Sequence, residues 1–246
     1  KNFIWLSKKD LIYLIKKKNL LNMDSISVFS SSIKKEKIDF PVNKFNEVIK
    51  KYKYFTKKFY IRKKKVLFNN MKGWKILNKK IHDIKKNFFS IICLKVETNS
   101  REVNNWSQPI ISDHSSSSNG FLCKNVNKTN HYLLRCILEP GFKKPKFTTT
   151  VIIKNFSYSN KKDKYLKFFR NKKNISLDVI NSDEGGRFFK NETRNMIAFL
   201  KNENKLILSK DYIWVSHNQL VELIKKNLLS IEARNLFASF NIDKIK

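Results

Sequence analysis

Glycine, proline and arginine are scarce in this chain of 246 residues, with 5, 4 and 7 copies. Acidic residues are also few, 20 against 52 Lys and Arg, which leaves a formal net charge of +32. The three cysteines (Cys93, Cys123, Cys136) are odd in number and lack CxxC spacing. That gives no sign of a zinc site and fits reduced structural thiols in a cytoplasmic protein. No apolar run approaches the roughly 18 residues of a membrane span, and no signal peptide is visible. The shortage of arginine decides how the charge is read. Lysine supplies 45 of the basic residues, and Asn, Ile and Phe are also abundant, the profile of an AT-rich coding sequence. Without an Arg-rich arm or an RNP-like aromatic motif, the lysines read as a solvated surface; a basic RNA-binding protein is the rival reading. With 41% hydrophobic residues, 20 of them Phe, the chain is expected to pack a globular core.

What is present is a repeat. Ile4-Trp5-Leu6-Ser7, Leu11, Leu14-Ile15-Lys16-Lys17, Asn19-Leu20-Leu21 and Phe29 recur as Ile213-Trp214-Val215-Ser216, Leu220, Leu223-Ile224-Lys225-Lys226, Asn227-Leu228-Leu229 and Phe237. A period of about 200 residues is a duplicated domain, since solenoid units run roughly 20–50. The expected division is therefore residues 1–33 as the terminal remnant of a first copy, 34–40 as a linker, and 41–246 as a complete second copy. Because the chain starts at Lys1, it reads as the C-terminal portion of a longer protein.

Apolar spacing predicts helices over 8–22 and 217–230, capped by Ser7 and Ser216, and over 42–55 with Pro41 at its entry. Strands are expected at 59–61, 88–96, 121–123, 132–138, 149–153 and 175–179, and a Ser-rich surface loop at 112–119. The fold class is α+β, with mainly antiparallel strands.

Four of the five glycines and three of the four prolines fall between residues 106 and 187. In a composition this poor in both, the survivors are expected where Lys, Asn or Ser would fail, so the functional half is placed at 106–195. Its motifs are Trp106-Ser-Gln108-Pro109, Gly120-Phe121-Leu122, His131-Tyr-Leu-Leu134, Glu139-Pro140-Gly141, Thr150-Val151, Tyr158, Ser182-Asp183-Glu184-Gly185-Gly186-Arg187-Phe188 and Arg194-Asn195. In this order, and with Trp214 and Leu220, they resemble the NDP-hexose 2,3-dehydratases of deoxysugar biosynthesis, whose members look like tandem Nudix-like domains. The resemblance covers essentially the whole chain and implies a Nudix-like mixed sheet with flanking helices. No Nudix hydrolase box occurs.

The resemblance implies loss of water across C2–C3 of an NDP-4-keto-6-deoxyhexose, dTDP-4-keto-6-deoxyglucose being the expected substrate, with no metal or cofactor. The C4 ketone acidifies the C3 proton, so the step needs a base, a donor to the enolate oxygen and an acid for the departing 2-hydroxyl. His131, Glu139, Tyr158 and Glu184 are the catalytic candidates. Arg187 and Arg194 would hold the diphosphate, since the guanidinium fork suits phosphate oxygens, and Trp106, Gln108 and Thr150 would line the substrate site. Each has a plainer reading as a packed side chain, a turn former or a surface ion pair. A segment resembling P-T-V-Q-A-T-x-S-N-Y carries Ile152 for Gln, Lys154 for Thr and Ser157 for Asn, so this copy is expected to bind and turn over poorly, or to be a silent nucleotide-sugar-binding repeat. The full-length protein is expected to be a homodimer without nucleic-acid or membrane partners.

Overall fold

The computed structural model describes residues 4–17, 20–85, 89–113, 117–154, 164–200 and 206–244. The chain opens with helices α1 (Lys8–Lys16), α2 (Met23–Phe29) and α3 (Phe45–Lys58), then strands β1 (Trp74–Leu77), β2 (Lys80–Asp83), β3 (Ser90–Glu97) and β4 (Asn105–Ser112). Next come β5 (Ser117–Val126), β6 (Thr129–Ile137), β7 (Lys146–Thr148) and β8 (Val151–Lys154), then α4 (Leu166–Arg170), β9 (Ile175–Ser182) and β10 (Glu192–Phe199). β11 (Tyr212–Ser216), α5 (His217–Lys225) and α6 (Ile231–Phe240) close it.

β1 to β4 form an antiparallel sheet in sequence order, and the larger sheet runs β11-β6-β5-β10-β9. Among the described residues β5 and β10 pair in parallel and the other strand pairs are antiparallel. This is the expected α+β, mixed-sheet class. Two-residue turns at Asn78-Lys79 and Asn127-Lys128, all with φ between 51° and 61°, have the left-handed backbone conformation whose turn matches the right-handed twist of paired strands in a tight hairpin. Glycine is the usual choice there, and this chain uses Asn-Lys twice.

β5 and β6 pair near their shared turn and then part. β7 continues along β6 and β8 along β5. Thr150 closes the fork: its Oγ1 accepts the Leu122 N–H at 2.8 Å and donates to the Leu133 carbonyl at 2.6 Å. Because β6 is buried on both faces, its apolar residues serve two cores. Tyr132 and Leu134 meet Phe147, Leu223, Leu236 and Phe237 on the helical face, with Ile15, Ile26 and Ile33 of the first repeat element. Leu133 faces Tyr165, Phe169, Met196 and Trp214 on the other side. Phe169 lies against Gly120, where an added Cβ would meet the ring at 2.4 Å. The main-chain atoms of Ile111 tie the small sheet to the large one, through Arg187 O at 2.9 Å and Phe189 N at 2.7 Å.

Several boundaries differ from expectation. The two expected helices of the repeat end early, at Lys16 and Lys225, and each is followed by a second helix, α2 or α6, that the spacing did not predict. The break after α5 is made by Asn227 at φ 53°, with Leu228 N–H to Leu223 O at 2.9 Å and Asn227 N–H to Ile224 O at 2.8 Å, a Schellman closure. α3 starts at Phe45, beyond Pro41, where the Glu47 carboxylate accepts the Lys44 N–H at 2.8 Å. Residues 59–61 form no strand; they leave α3 in extended form without a sheet partner among the described residues. Ser117–Asn119 belong to β5, held between β8 and β10, and not to a loop. The segment 34–43 is fastened along its length: Asp39 accepts from Ser216 Oγ at 2.6 Å, Glu36 N–H donates to Asn218 at 2.7 Å, and Val42 N–H donates to His131 Nε2 at 3.1 Å.

Candidate functional site

Along the helical face of the large sheet the inward residues change from apolar to polar at one end. Phe121 gives way to Asn119 and Ser117 on β5, Ile197 to Asn195 and Thr193 on β10, and Leu177 to Asn181 on β9. These side chains satisfy one another in the buried sheet. Asn195 donates to Asn181 at 3.0 Å, Asn119 reaches Asn195 at 3.5 Å, and the Ser117 and Thr193 hydroxyls lie 2.7 Å apart. A cavity of about 500 Å³ opens over this polar end. α6 roofs it with Ser230, Ile231, Glu232 and Arg234, and α2 contributes Met23 and Asp24.

Glu139, Glu184 and Arg187 all border this cavity. Arg187 pairs with Glu184 and with Asp24, the latter at 3.3 Å. Trp106 and Gln108 stand beside it, around a smaller hollow of about 200 Å³ with Gly185 and Gly186. Trp106 Nε1 donates to Gln108 Oε1 at 2.6 Å, and Gln108 Nε2 donates to the Gly186 carbonyl at 2.7 Å. The two hollows thus share the 184–187 turn. His131, Thr150 and Arg194 do not border the cavity. His131 is fully buried; besides Val42 it holds Thr129 O at 3.0 Å through Nδ1, and burial lowers its pKa below 6.5. Thr150 is spent on the strand fork. Arg194 makes a forked pair with Asp178, at 2.7 and 2.5 Å, which lowers the Asp178 pKa. Tyr158 lies outside the described residues.

Sequence reasoning passed over Asp183, though it stands in a quoted motif. Its carboxylate accepts from Asn191, and from Thr193 Oγ1 at 3.4 Å. Burial pushes its pKa up, against the hydrogen bonds from Asn191 and Thr193, and the charges of Asp24 and Glu232 push it further. A carboxyl raised by burial beside a cavity is the pattern of a general acid or base. Position could have found it, because Asp183 continues the polar face of β9. Lys146 and Arg234 were also missed, and both border the cavity. Ile152 borders it as well, at the place where the resemblance put Gln. Among the described residues no group of three or more His, Cys, Asp or Glu is arranged to hold a metal ion, and no helix is long and apolar enough to cross a membrane. Cys123 and Cys136 are buried and Cys93 is exposed; burial raises the Cys136 pKa to about 12.

Comparison with known proteins adds the family. A dTDP-4-dehydro-6-deoxy-alpha-D-glucopyranose 2,3-dehydratase from Streptomyces violaceoruber is 24% identical over 254 residues, covering 96% of this chain and 57% of the relative. Proteins of the same name from Saccharopolyspora spinosa and Amycolatopsis orientalis are 23% and 24% identical, each across 98% of this chain and 56% and 52% of their own lengths. The chain therefore spans just over half the length of these curated relatives. A solved structure titled as an ADP compounds hydrolase aligns with 71% of this chain and 94% of its own at 12% identity and a TM-score of 0.38, too low to carry an argument. Residues 45–240, from the start of α3 to the end of α6, match the profile described as NDP-hexose 2,3-dehydratase, and on that match the chain belongs to this family.

Proposed function

We propose that the protein eliminates water across C2–C3 of an NDP-4-keto-6-deoxyhexose, dTDP-4-keto-6-deoxyglucose by its relatives' names, with the sugar in the cavity beneath α6. The observation that carries this reading is Asp183, a half-buried carboxyl held at the polar end of the sheet with its pKa raised. A base with a pKa brought toward neutrality is better matched to abstracting the proton that the C4 ketone acidifies. In this scheme Asp183 takes the C3 proton and the electron pair moves onto the C4 oxygen. Arg187, on the wall of the same cavity, stabilises that enolate. As the enolate collapses to form the C2=C3 bond, the C2–O bond breaks, and the 2-hydroxyl leaves as water with a proton from Glu139 or Glu184. Ser117, Asn119 and Thr193 offer hydrogen bonds to the sugar hydroxyls. Trp106 and Gln108 brace the turn that carries Glu184 and Arg187.

The two-copy organisation, with residues 1–33 as the remnant of a first copy, and assembly as a homodimer belong to the same proposal. The like capped helices that follow the two Trp-x-Ser segments support it, although only the second segment is a strand. Ile152 on the cavity wall favours a second reading, a repeat that binds nucleotide sugar without turning it over. Arg187, Glu184 and Glu139 converging on one cavity support the sugar nucleotide over RNA, although Arg194 and His131 stand apart from it. Incubating the protein with dTDP-4-keto-6-deoxyglucose and following water loss by mass spectrometry tests the reading: a dehydrated product is expected, and intact substrate with saturable binding would favour the silent repeat.

A further inference from the structure

Next to the acid-lined cavity lies a groove of about 830 Å³ of the opposite character. Lys53 and Lys57 of α3, Lys143 and Lys144 of the turn before β7, Lys146 of β7 and Lys226 at the end of α5 line it, and no Asp or Glu does. A few lysines of other elements do meet carboxylates, as in Lys35–Glu222 at 2.7 Å and Lys95–Glu97 at 3.1 Å. The groove and the cavity share Phe142, Lys146 and Asn227, so one ligand can cross from one to the other. Lys146 stands at that junction, and Arg234 lines the cavity near it. Burial lowers the Lys146 pKa, and the neighbouring Arg234 charge lowers it further. Arg234 Nε is buried with no hydrogen-bond partner. A buried donor without an acceptor, beside a lysine whose ammonium is held by the neutral carbonyl and Oδ1 of Asn227, is costly unless an anion completes it.

We infer that the diphosphate of the nucleoside diphosphate sugar is held at Lys146 and Arg234, with its nucleoside end in the lysine groove. This rests on the proposed substrate class and assigns the diphosphate to residues other than the two arginines singled out from the sequence. The acid-lined cavity suits a neutral sugar and repels phosphate, whereas the groove does the reverse. Charge thereby sets the direction in which the ligand lies.

Calorimetric titration of the chain with dTDP, inorganic pyrophosphate and thymidine tests the assignment. Pyrophosphate is expected to compete with dTDP, thymidine to bind far more weakly, and added salt to weaken dTDP. Lys57→Glu with Lys226→Glu, both exposed, is expected to weaken dTDP at least about tenfold. Lys75→Glu with Lys80→Glu on the small sheet changes net charge equally and is expected to leave affinity within about twofold. The milder pair Lys57→Gln with Lys226→Gln is expected to fall between. Equal losses in both charge-reversed pairs, no competition by pyrophosphate, or no dTDP binding at all would overturn the inference. Groove-dependent dTDP binding without any dehydration would leave it standing and remove the dehydratase reading. Dehydration with dTDP affinity indifferent to the groove would do the opposite.

Discussion

Ile4-Trp5-Leu6-Ser7 and Ile213-Trp214-Val215-Ser216 are nearly the same sequence in opposite circumstances. Trp5 is 99% exposed and Trp214 6%; Ile4 is 82% exposed and Ile213 6%. The helices that follow the two segments nevertheless form in the same way. Ser7 accepts the Asp10 N–H at 3.2 Å and Ser216 the Gln219 N–H at 3.3 Å, each with the reciprocal bond from the third helical residue. Asn22 then caps α2 as Ser230 caps α6. A capping box and an amphipathic turn are local, so they form whether or not the preceding segment is packed. A strand needs a neighbour. β11 finds β6, with Trp214 facing Leu133, whereas the equivalent stretch before α1 has no sheet partner among the described residues.

The largest test of this contrast is Trp214→Ala against Trp5→Ala. The first empties a core position and is expected to cost about 3–5 kcal/mol in urea unfolding; the second is expected to stay within about 0.5 kcal/mol. Comparable losses would mean that the first segment is packed in solution. Next in size are the caps. Ser216→Ala removes a buried cap that also donates to Asp39 and is expected to cost about 2 kcal/mol, against about 0.5–1 kcal/mol for the exposed Ser7→Ala. Equal costs would show that the strap at Asp39 adds nothing.

Acid sharpens the comparison further. His131, which pairs with Ser216 between β6 and β11, and His217, whose counterpart after Ser7 is Lys8, both have pKa values lowered from 6.5 by burial. The unfolded chain therefore takes up protons that the folded chain refuses as pH falls below 6.5. The thermal midpoint is expected to drop from there downward, with protection of the strap 34–43 lost before that of α1 and α2 in hydrogen exchange. Asp183 acts with the other sign. Its raised pKa costs stability as pH rises from 3.8 through its folded value, so Asp183→Asn is expected to raise the midpoint at neutral pH. The smallest effect is expected from Ile152→Gln with Lys154→Thr, a gain of about 1 kcal/mol in dTDP-sugar affinity, read by calorimetry. No gain would remove β8 from the sugar site.

The α+β class and both Ser caps were legible because periodicity and capping are local signals. Helix breaks were missed because Asn227 adopts the left-handed conformation that the pattern assigned to helix. Scarcity of glycine proved a weaker guide than it looked. Gly120 is required by Phe169, yet Lys79 and Lys128 occupy positive-φ sites, whereas Gly141, Gly185 and Gly186 do not. At the site, Glu139, Glu184 and Arg187 were found through their motifs. Asp183, Lys146 and Arg234 are made significant by strand facing, burial and the α6 roof, which no linear spacing reveals.

The central claim is that Asp183 takes the C3 proton, and solvent exchange reads that step without waiting for elimination. Dissolving dTDP-4-keto-6-deoxyglucose with the protein in deuterated buffer and following the C3 proton by NMR is expected to show exchange above the uncatalysed rate. That exchange should fall on the order of a hundredfold or more in Asp183→Asn while dTDP affinity is retained. Exchange at an unchanged rate in Asp183→Asn, or none with the unaltered protein, would contradict it.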